Sequence, residues 1–542
     1  MHVTETTTIP DLVGEFLTWH FDRNPGTAAM LGSPAHDRTL GDFSAAALAE
    51  QEREAGVWLE RFADVRTDDL EESVDRDLIV SVLRGVRAKA AWPVWRRDPS
   101  TYTSAVLYPL FTAFLHRLRP EPELVDSVIA RLAEVPAVLA HAERNLDPEL
   151  AAPKIVERAA AQAGTGRAFL TGTLPAEVAD PDLRARLAEA AEPAAAAFDR
   201  FAAFLAEFKH QARGDWRMGE ALYSQLLQEQ EVLGYGAGEL HERGKAAYTE
   251  LELQMKRLAG TDDWHSVMVA LQDDHPPTPE AMRAEYEAET LRARAFLVER
   301  GLVTLADGEE CRVVPSPTFQ RPVLSVASYM SPAPLTNGRV GHFFVPWPPD
   351  GFTAEQTEQR LRTNSRAQLA TIAVHEAYPG HHWHLSWLAA QDRPVRKVFR
   401  TPYFSEGWAL YAEKLLREHG YFSAEQVGDE RKARAQELAH VEARLFRAAR
   451  MIVDTALHCG DMTVEQAEEF MTTKASLTPG TAQGEVTRYC AWPTQAPSYL
   501  TGALEIDKIR DEFTGTQREF HDRLAGSGAL PLGLARRVAL GR

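Results

Sequence analysis

With 542 residues, 44% of them hydrophobic, 25% charged and 9% aromatic, the chain has the balance of a folded globular protein and is long enough to bury a large core. A formal net charge of −19 argues against nucleic acid or an anionic membrane surface as the main partner, since either would need a basic face. The three cysteines, Cys311, Cys459 and Cys490, are an odd number and far too few for a disulfide framework, which points to a reducing compartment.

The first residues, MHVTETTTIPDLVGEF, contain neither a basic n-region nor a continuous apolar stretch, and no run of 18 or more apolar residues follows later. A cytoplasmic protein without a membrane partner is expected. The sequence is rich in Ala, Leu, Glu and Arg, with apolar residues returning every three or four positions. This periodicity predicts helices over 44–64, 72–91, 123–145, 175–208 and 236–259, each with a charged outer face.

From about 311 to 348 the text turns dense in Pro, β-branched and aromatic residues, with Asn337-Gly338 as a turn signal. Two short extended segments are predicted, near 324–330 and 341–346. Helical text resumes at 353, where Thr353 and Gln356 fit a capping box. The expected organisation is a helical lobe over 1–310, an extended or β segment over 311–350 and a helical lobe over 351–542. The middle segment reads either as a linker or as a small sheet at the edge of a cleft, where an extended peptide could add as a strand.

Residues 375–384 read HEAYPGHHWH. Upstream, Leu369 and Ile372 share a side, so His375 and Glu376 should lie on a helix. A helical His-Glu-x-x-His would set two imidazoles on one face for a single zinc, yet four residues after His375 stands Pro379. On a regular helix His381 would point about 120° away from His375, and His382 would lie about 10 Å along the axis. Nitrogens sharing one zinc are at most about 4 Å apart. Pro379-Gly380 is the pair expected to distort the helix enough to bring a second imidazole back. Four histidines in ten residues beside a glutamate suit a metal better than a core.

Downstream, PYFSEGWALYAEKL places Glu406 and Glu413 on one helical face amid aromatics, where a carboxylate calls for a cation or another partner. Over 434–459, Leu438, Val441, Leu445, Ala448 and Ile452 form an apolar stripe. Arg447, Arg450, Asp454 and His458 fall within about 80° of one another on a different face, which spacing alone would read as solvated. The sequence has no Gly-rich phosphate loop, nucleophile elbow or Cys pair at metal spacing. Cys459 and Cys490 read as small core residues.

The motifs HEAYPGHH, SEGWALYAE, ARMIVDTALHCGDMTVEQA and TRYCAWPTQAPSYLTG, in that order, resemble the bacterial family called domain of unknown function 885. GSPAHDRTLGDFS, DRDLI and RRDPSTY extend the likeness over nearly the whole chain. That family is regarded as gluzincin-like, related to zinc carboxypeptidases and to the angiotensin-converting-enzyme group. The resemblance therefore implies a mainly α, two-lobed metallopeptidase-like fold with a central cleft. It also implies one zinc ion, with His375, one of His381 or His382, and Glu406 as ligands, and Glu376 as general base. His381 is preferred because it needs the smaller axial distortion; His382 and Glu413 are the alternatives. Tyr499 and Tyr489 are candidate donors to an oxyanion, as a Tyr phenol is in related zinc peptidases. Arg488 and Arg450 are candidates to hold a substrate carboxylate, and Asp454 to orient His458 or an Arg. The last motif reads PTQAPSY where the family has text close to PGQALSY, so Thr494 replaces Gly and Pro497 an apolar residue.

The expected function is a zinc-dependent hydrolase of amide bonds in short peptides or peptide-like small molecules, with water activated by Glu376. The alternatives are an amide hydrolase dedicated to one biosynthetic metabolite and a catalytically silent peptide-binding protein.

Overall fold

The structure, a computed structural model, describes residues 8–317, 320, 321, 324, 326–336, 338–349 and 351–542. These form helices and one small sheet, as the 3.6-residue periodicity dictates. The chain divides into two compact units, one running to Met218 and including Ala333–Thr336, the other made of the remainder from Gly219 onward.

The first unit contains α1 (Ile9–Arg23), α2 (Ala45–Asp64), α3 (Leu70–Lys89), α4 (Ser100–His116), α5 (Glu121–Asn145), α6 (Pro153–Ala168) and α7 (Pro181–Gln211). Side-chain caps set where several begin: Ser44 accepts from the Ala47 N–H, Asp69 from Glu72, and Asp180 from Asp182 and Leu183. The helix expected from 175 therefore starts at Pro181, six residues late, after a short helix over Leu174–Ala176. α7 packs on α5 and α6, with Phe198 lying against Gly166, where a Cβ would have no room.

The second unit contains α8 (Ala237–Ala259), α9 (Pro279–Arg300), β1 (Glu310–Pro315), β2 (Ser328–Met330), β3 (Val340–Val345), α10 (Arg366–Glu376), α11 (His381–Ala390), α12 (Pro402–Glu418), α13 (Glu430–Cys459), α14 (Pro479–Ala491) and α15 (Ser498–Glu512). α13 is its axis. Between Leu438 and His458 most of its side chains are buried, and α8, α10 and α15 pack along it. The capping box at Thr353 and Gln356 is present.

The division falls at Met218, away from the 311–350 segment, because the strands are part of the second unit. β1 and β3 lie on α9, where the Tyr286 ring meets Phe343 edge-on at 5.2 Å, and α11 packs on β2 and β3. The strand order is β1-β3-β2, with β1 parallel to β3 and β2 antiparallel to it. The two predicted segments correspond to β2 and β3. β1 was not expected: its parallel partner lies about thirty residues away, beyond any local turn signal. Asn337, half of that turn signal, lies outside the described residues.

α12 and α15 cross with their backbones touching. A Cβ on Gly502 would fall on the Tyr403 carbonyl and the Gly407 Cα, so both helices carry glycine there. This contact brings Glu406 of α12 and Tyr499 of α15 within electrostatic reach of each other.

Pro497 is the N-cap of α15, which a residue without an N–H can occupy. Thr494 sits at φ 72°, the left-handed region that favours glycine. Its N–H donates to Asp454 at 3.1 Å and its carbonyl accepts from the Tyr403 hydroxyl at 2.8 Å, two bonds that hold a strained β-branched residue in place. Thr494→Gly should stabilise the protein by about 1 kcal/mol, because relief of strain exceeds the entropy that glycine adds to the unfolded chain. A denaturation midpoint that stays put or falls would show that Thr494 is unstrained.

Candidate metal centre

α10 ends at Glu376. Ala377 leaves helical geometry (φ −114°, ψ −87°), Gly380 is at φ −71° and ψ −133°, and α11 begins at His381. The Tyr378–Pro379 peptide between them is cis. The break is closed by hydrogen bonds from the Gly380 N–H to the Val374 carbonyl and from the Trp383 N–H to the Ala377 carbonyl, each 3.1 Å. Any side chain at Gly380 would collide with the His375 and Val374 carbonyls. From α12, the Trp408 indole N–H donates to the Pro379 carbonyl at 2.7 Å. The helix that carries Glu406 thus also fastens the break.

As a result His381 comes back beside His375, with ring centroids 4.8 Å apart and planes at 88°. Glu406 Oε2 lies 3.5 Å from His375 Nε2 and 3.4 Å from His381 Nε2, and one ligand atom from each of the three residues falls within 4.8 Å of the others. Ligand bonds of about 2.0–2.2 Å in a tetrahedral site put donors about 3.3 Å apart, so the two spacings to Glu406 match what a zinc ion requires, and two nitrogens with one oxygen are a donor set that suits it.

His375 Nδ1–H donates to Glu413 Oε1 at 2.7 Å, which fixes the tautomer and aims Nε2 at the centre. Glu413 is 1% exposed in its side chain, and its other oxygen has no hydrogen-bond partner. Burial alone would push the His375 pKa down, but Glu406 and Glu413 outweigh it and lift the value to about 10. Burial would likewise raise Glu406, yet His381 and His375 hold it well below the usual carboxylate range. The centre thus attracts positive charge. Glu376 is buried, a condition that raises its pKa, and among the described residues its carboxylate makes no hydrogen bond.

The neighbouring histidines face elsewhere, since successive residues on a helix diverge by about 100°. His382 is not gathered into the centre. Its Nε2 lies 2.7 Å from Glu309 and its Nδ1 2.9 Å from the Tyr329 hydroxyl. Glu309 also accepts from Tyr378 and, at 2.9 Å, from Arg294, so it ties α9, β1 and α11 together. Tyr329 reaches His382 across Gly341, where a Cβ would strike the phenol. His384 packs on Phe404 at 5.0 Å with neither nitrogen partnered, and burial lowers its pKa to about 3.

A second polar group forms around Glu485 of α14, which accepts from Arg450 at 2.8 Å, Arg488 at 2.9 Å and the Tyr489 hydroxyl at 2.7 Å. Arg488 donates further to Gln495. Tyr489, 1% exposed, is thereby committed to Glu485, and Arg450 and Arg488 share the same carboxylate. Tyr499 is only half-buried; its ring lies 4.9 Å from the Arg450 guanidinium and 5.8 Å from that of Arg447. Asp454, expected to orient His458 or an arginine, accepts from the Tyr223 hydroxyl and the Thr494 N–H, while His458 Nε2 lies 3.0 Å from the Tyr489 carbonyl.

Glu309, Tyr329, Tyr378 and Tyr223 carry no local signal, because apart from Arg294, 15 residues before Glu309, their partners are 53 to 231 residues away in sequence, Tyr378 and Glu309 being 69 apart. Glu485 does carry one: it precedes Arg488 by three and Tyr489 by four residues, the spacing of facing side chains on a helix.

Glu413→Ala should leave the helices in place and weaken zinc binding by about 10- to 100-fold, the usual cost of removing a carboxylate that orients a histidine ligand. Competition against a chelating dye measures this. Unchanged affinity would mean that Glu413 does not orient His375.

Among solved structures, a candidate lipoprotein of unknown function from Shewanella oneidensis superposes with a TM-score of 0.80 at 22% identity, covering 98% of this chain and 100% of that one. A candidate lipoprotein from Colwellia psychrerythraea gives a TM-score of 0.80 at 17% identity, covering 98% and 99%. These likenesses concern the fold. No curated protein matches. Residues 25–538 match the family described as bacterial protein of unknown function (DUF885), and the chain belongs to that family.

Proposed function

We propose that the protein is a zinc-dependent, gluzincin-like hydrolase cleaving amide bonds in short peptides or peptide-like small molecules. The observation that carries this reading is the juxtaposition of three metal-compatible donors, His375, His381 and Glu406, with the buried, unbonded carboxylate of Glu376. A zinc ion held by those donors would polarise the substrate carbonyl and make water acidic enough to ionise near neutral pH.

The remaining chemistry belongs to the chain. Glu376 follows His375 by about 100° on α10, so its carboxylate flanks the donors without joining them. It takes a proton from the attacking water and delivers it to the leaving amine. Tyr499, half-buried beside Glu406, is the phenol available to donate to the developing oxyanion, because Tyr489 is held by Glu485. A catalytically silent binding protein would have no use for an unbonded buried carboxylate, since leaving a charge unpaired is costly. A reducing compartment is proposed with this reading, on a chain of this length having only three cysteines.

Glu376→Gln keeps the shape and removes the base. Zinc content and melting temperature should stay near wild type while cleavage of short peptides falls by at least about 10²-fold. His375→Ala should lose both zinc and activity. Full activity in Glu376→Gln, or in wild type stripped of metal, would overturn the proposal.

A further inference from the structure

Several arginines stand on or beside α13, and three of those near the centre have polar partners. Arg450 and Arg488 share Glu485, and Arg444 donates to the Leu410 carbonyl beside Glu413 and Asp507. Arg447 is different. Like Arg444 it makes no ion pair among the described residues and one 3.3 Å bond to a backbone carbonyl, here Nη1 to Ala443, but its Nε is in addition buried without a partner. Its guanidinium lies 5.3 Å from the Phe446 ring and 5.8 Å from the Tyr499 ring, and its electrostatic neighbours include Glu406, Glu413 and Glu376.

The side chain is half-buried, and a guanidinium whose Nε is buried without an acceptor and which has no anion beside it carries a desolvation cost. In the protein alone, the charges of Glu413 and Glu406 offset part of that cost. Once a divalent cation takes up Glu406, part of that offset is lost and Arg447 is free to take another anion. The anion must fit a planar fork beside a phenol, within reach of the base Glu376, which describes a carboxylate better than a phosphate dianion set among Glu376, Glu406 and Glu413.

We infer that Arg447, with Tyr499 beside it, anchors a free carboxylate of the substrate next to the scissile amide, so that the substrates are acyl-amino acids: dipeptides, peptides trimmed at the carboxyl end, or N-acylated amino acids. The inference rests on the hydrolase reading above. Water adds its oxygen to the acyl carbon, the C–N bond breaks with its electron pair remaining on nitrogen, and that nitrogen takes a proton to leave as a free amino acid. Arg488, tied to Glu485 and Gln495, is structural support for this wall of the site.

The test uses the zinc-loaded full chain and two thiol probes, 3-mercaptopropanoyl-alanine and its carboxyl-terminal amide, titrated by calorimetry. Wild type should bind the acid at least about 10-fold tighter than the amide, the scale of one charge-assisted pair. Arg447→Met should abolish that preference, and Arg447→Lys should keep part of it, which separates a lost anchor from a damaged fold. Equal binding of both probes, binding of neither, or a preference intact in Arg447→Met would overturn the assignment. Zinc is measured in the same samples. A protein that takes up no zinc sinks the hydrolase reading, whereas a zinc-loaded one without acid preference sinks only this inference.

Discussion

The geometry of the site depends on one backbone event, the break between Glu376 and His381. A continuous helix would point His381 away from His375. With the break, the two rings stand 4.8 Å apart and close on Glu406. The constraint is steric before it is chemical, since only glycine fits at 380 under the carbonyls of α10. Trp408, on the helix that supplies Glu406, holds the Pro379 carbonyl, so the position of the third donor and the shape of the break are set together. The glycine contact between α12 and α15 then fixes Tyr499 relative to Glu406.

Much of the buried charge in this unit is gathered into small clusters. Glu309 gathers His382, Tyr378 and Arg294; Glu413 takes His375; Glu485 gathers Arg450, Arg488 and Tyr489. Glu309 and Glu485 are thus satisfied by several donors each, as desolvation requires, while the second oxygen of Glu413 has no hydrogen-bond partner. Glu376 and Arg447 near the centre belong to no such cluster: among the described residues the acid makes no hydrogen bond and the guanidinium no ion pair. Groups left unsatisfied in an otherwise satisfied interior are where binding and chemistry are to be sought.

Much of this was legible in the sequence. Apolar periodicity located the long helices, the capping box at Thr353 marked a helix start, and Pro379-Gly380 announced a break before any coordinates did. The pairing of β1 with β3 was not legible, because a parallel partner is a tertiary fact without a local turn. Nor was the fate of His382, which looks equivalent to His381 in HEAYPGHH and is drawn off by Glu309, 73 residues earlier. Arg488 looked like the substrate anchor beside its motif, but Glu485, one helical turn before it, already holds it, and Arg447, which makes no ion pair among the described residues, is the arginine proposed for that role. Thr494 is the reverse case: departure from the family's glycine was visible as text, and the positive φ supplies its physical meaning.

The most direct test of the account is a crystal of the protein grown with zinc and measured on both sides of the zinc absorption edge. The account predicts one anomalous peak about 2.0–2.2 Å from His375 Nε2, His381 Nε2 and Glu406 Oε2, with Glu376 outside bonding distance. A centre without a peak in zinc-saturated crystals, or a peak held by His382 and Glu309 instead, would contradict it.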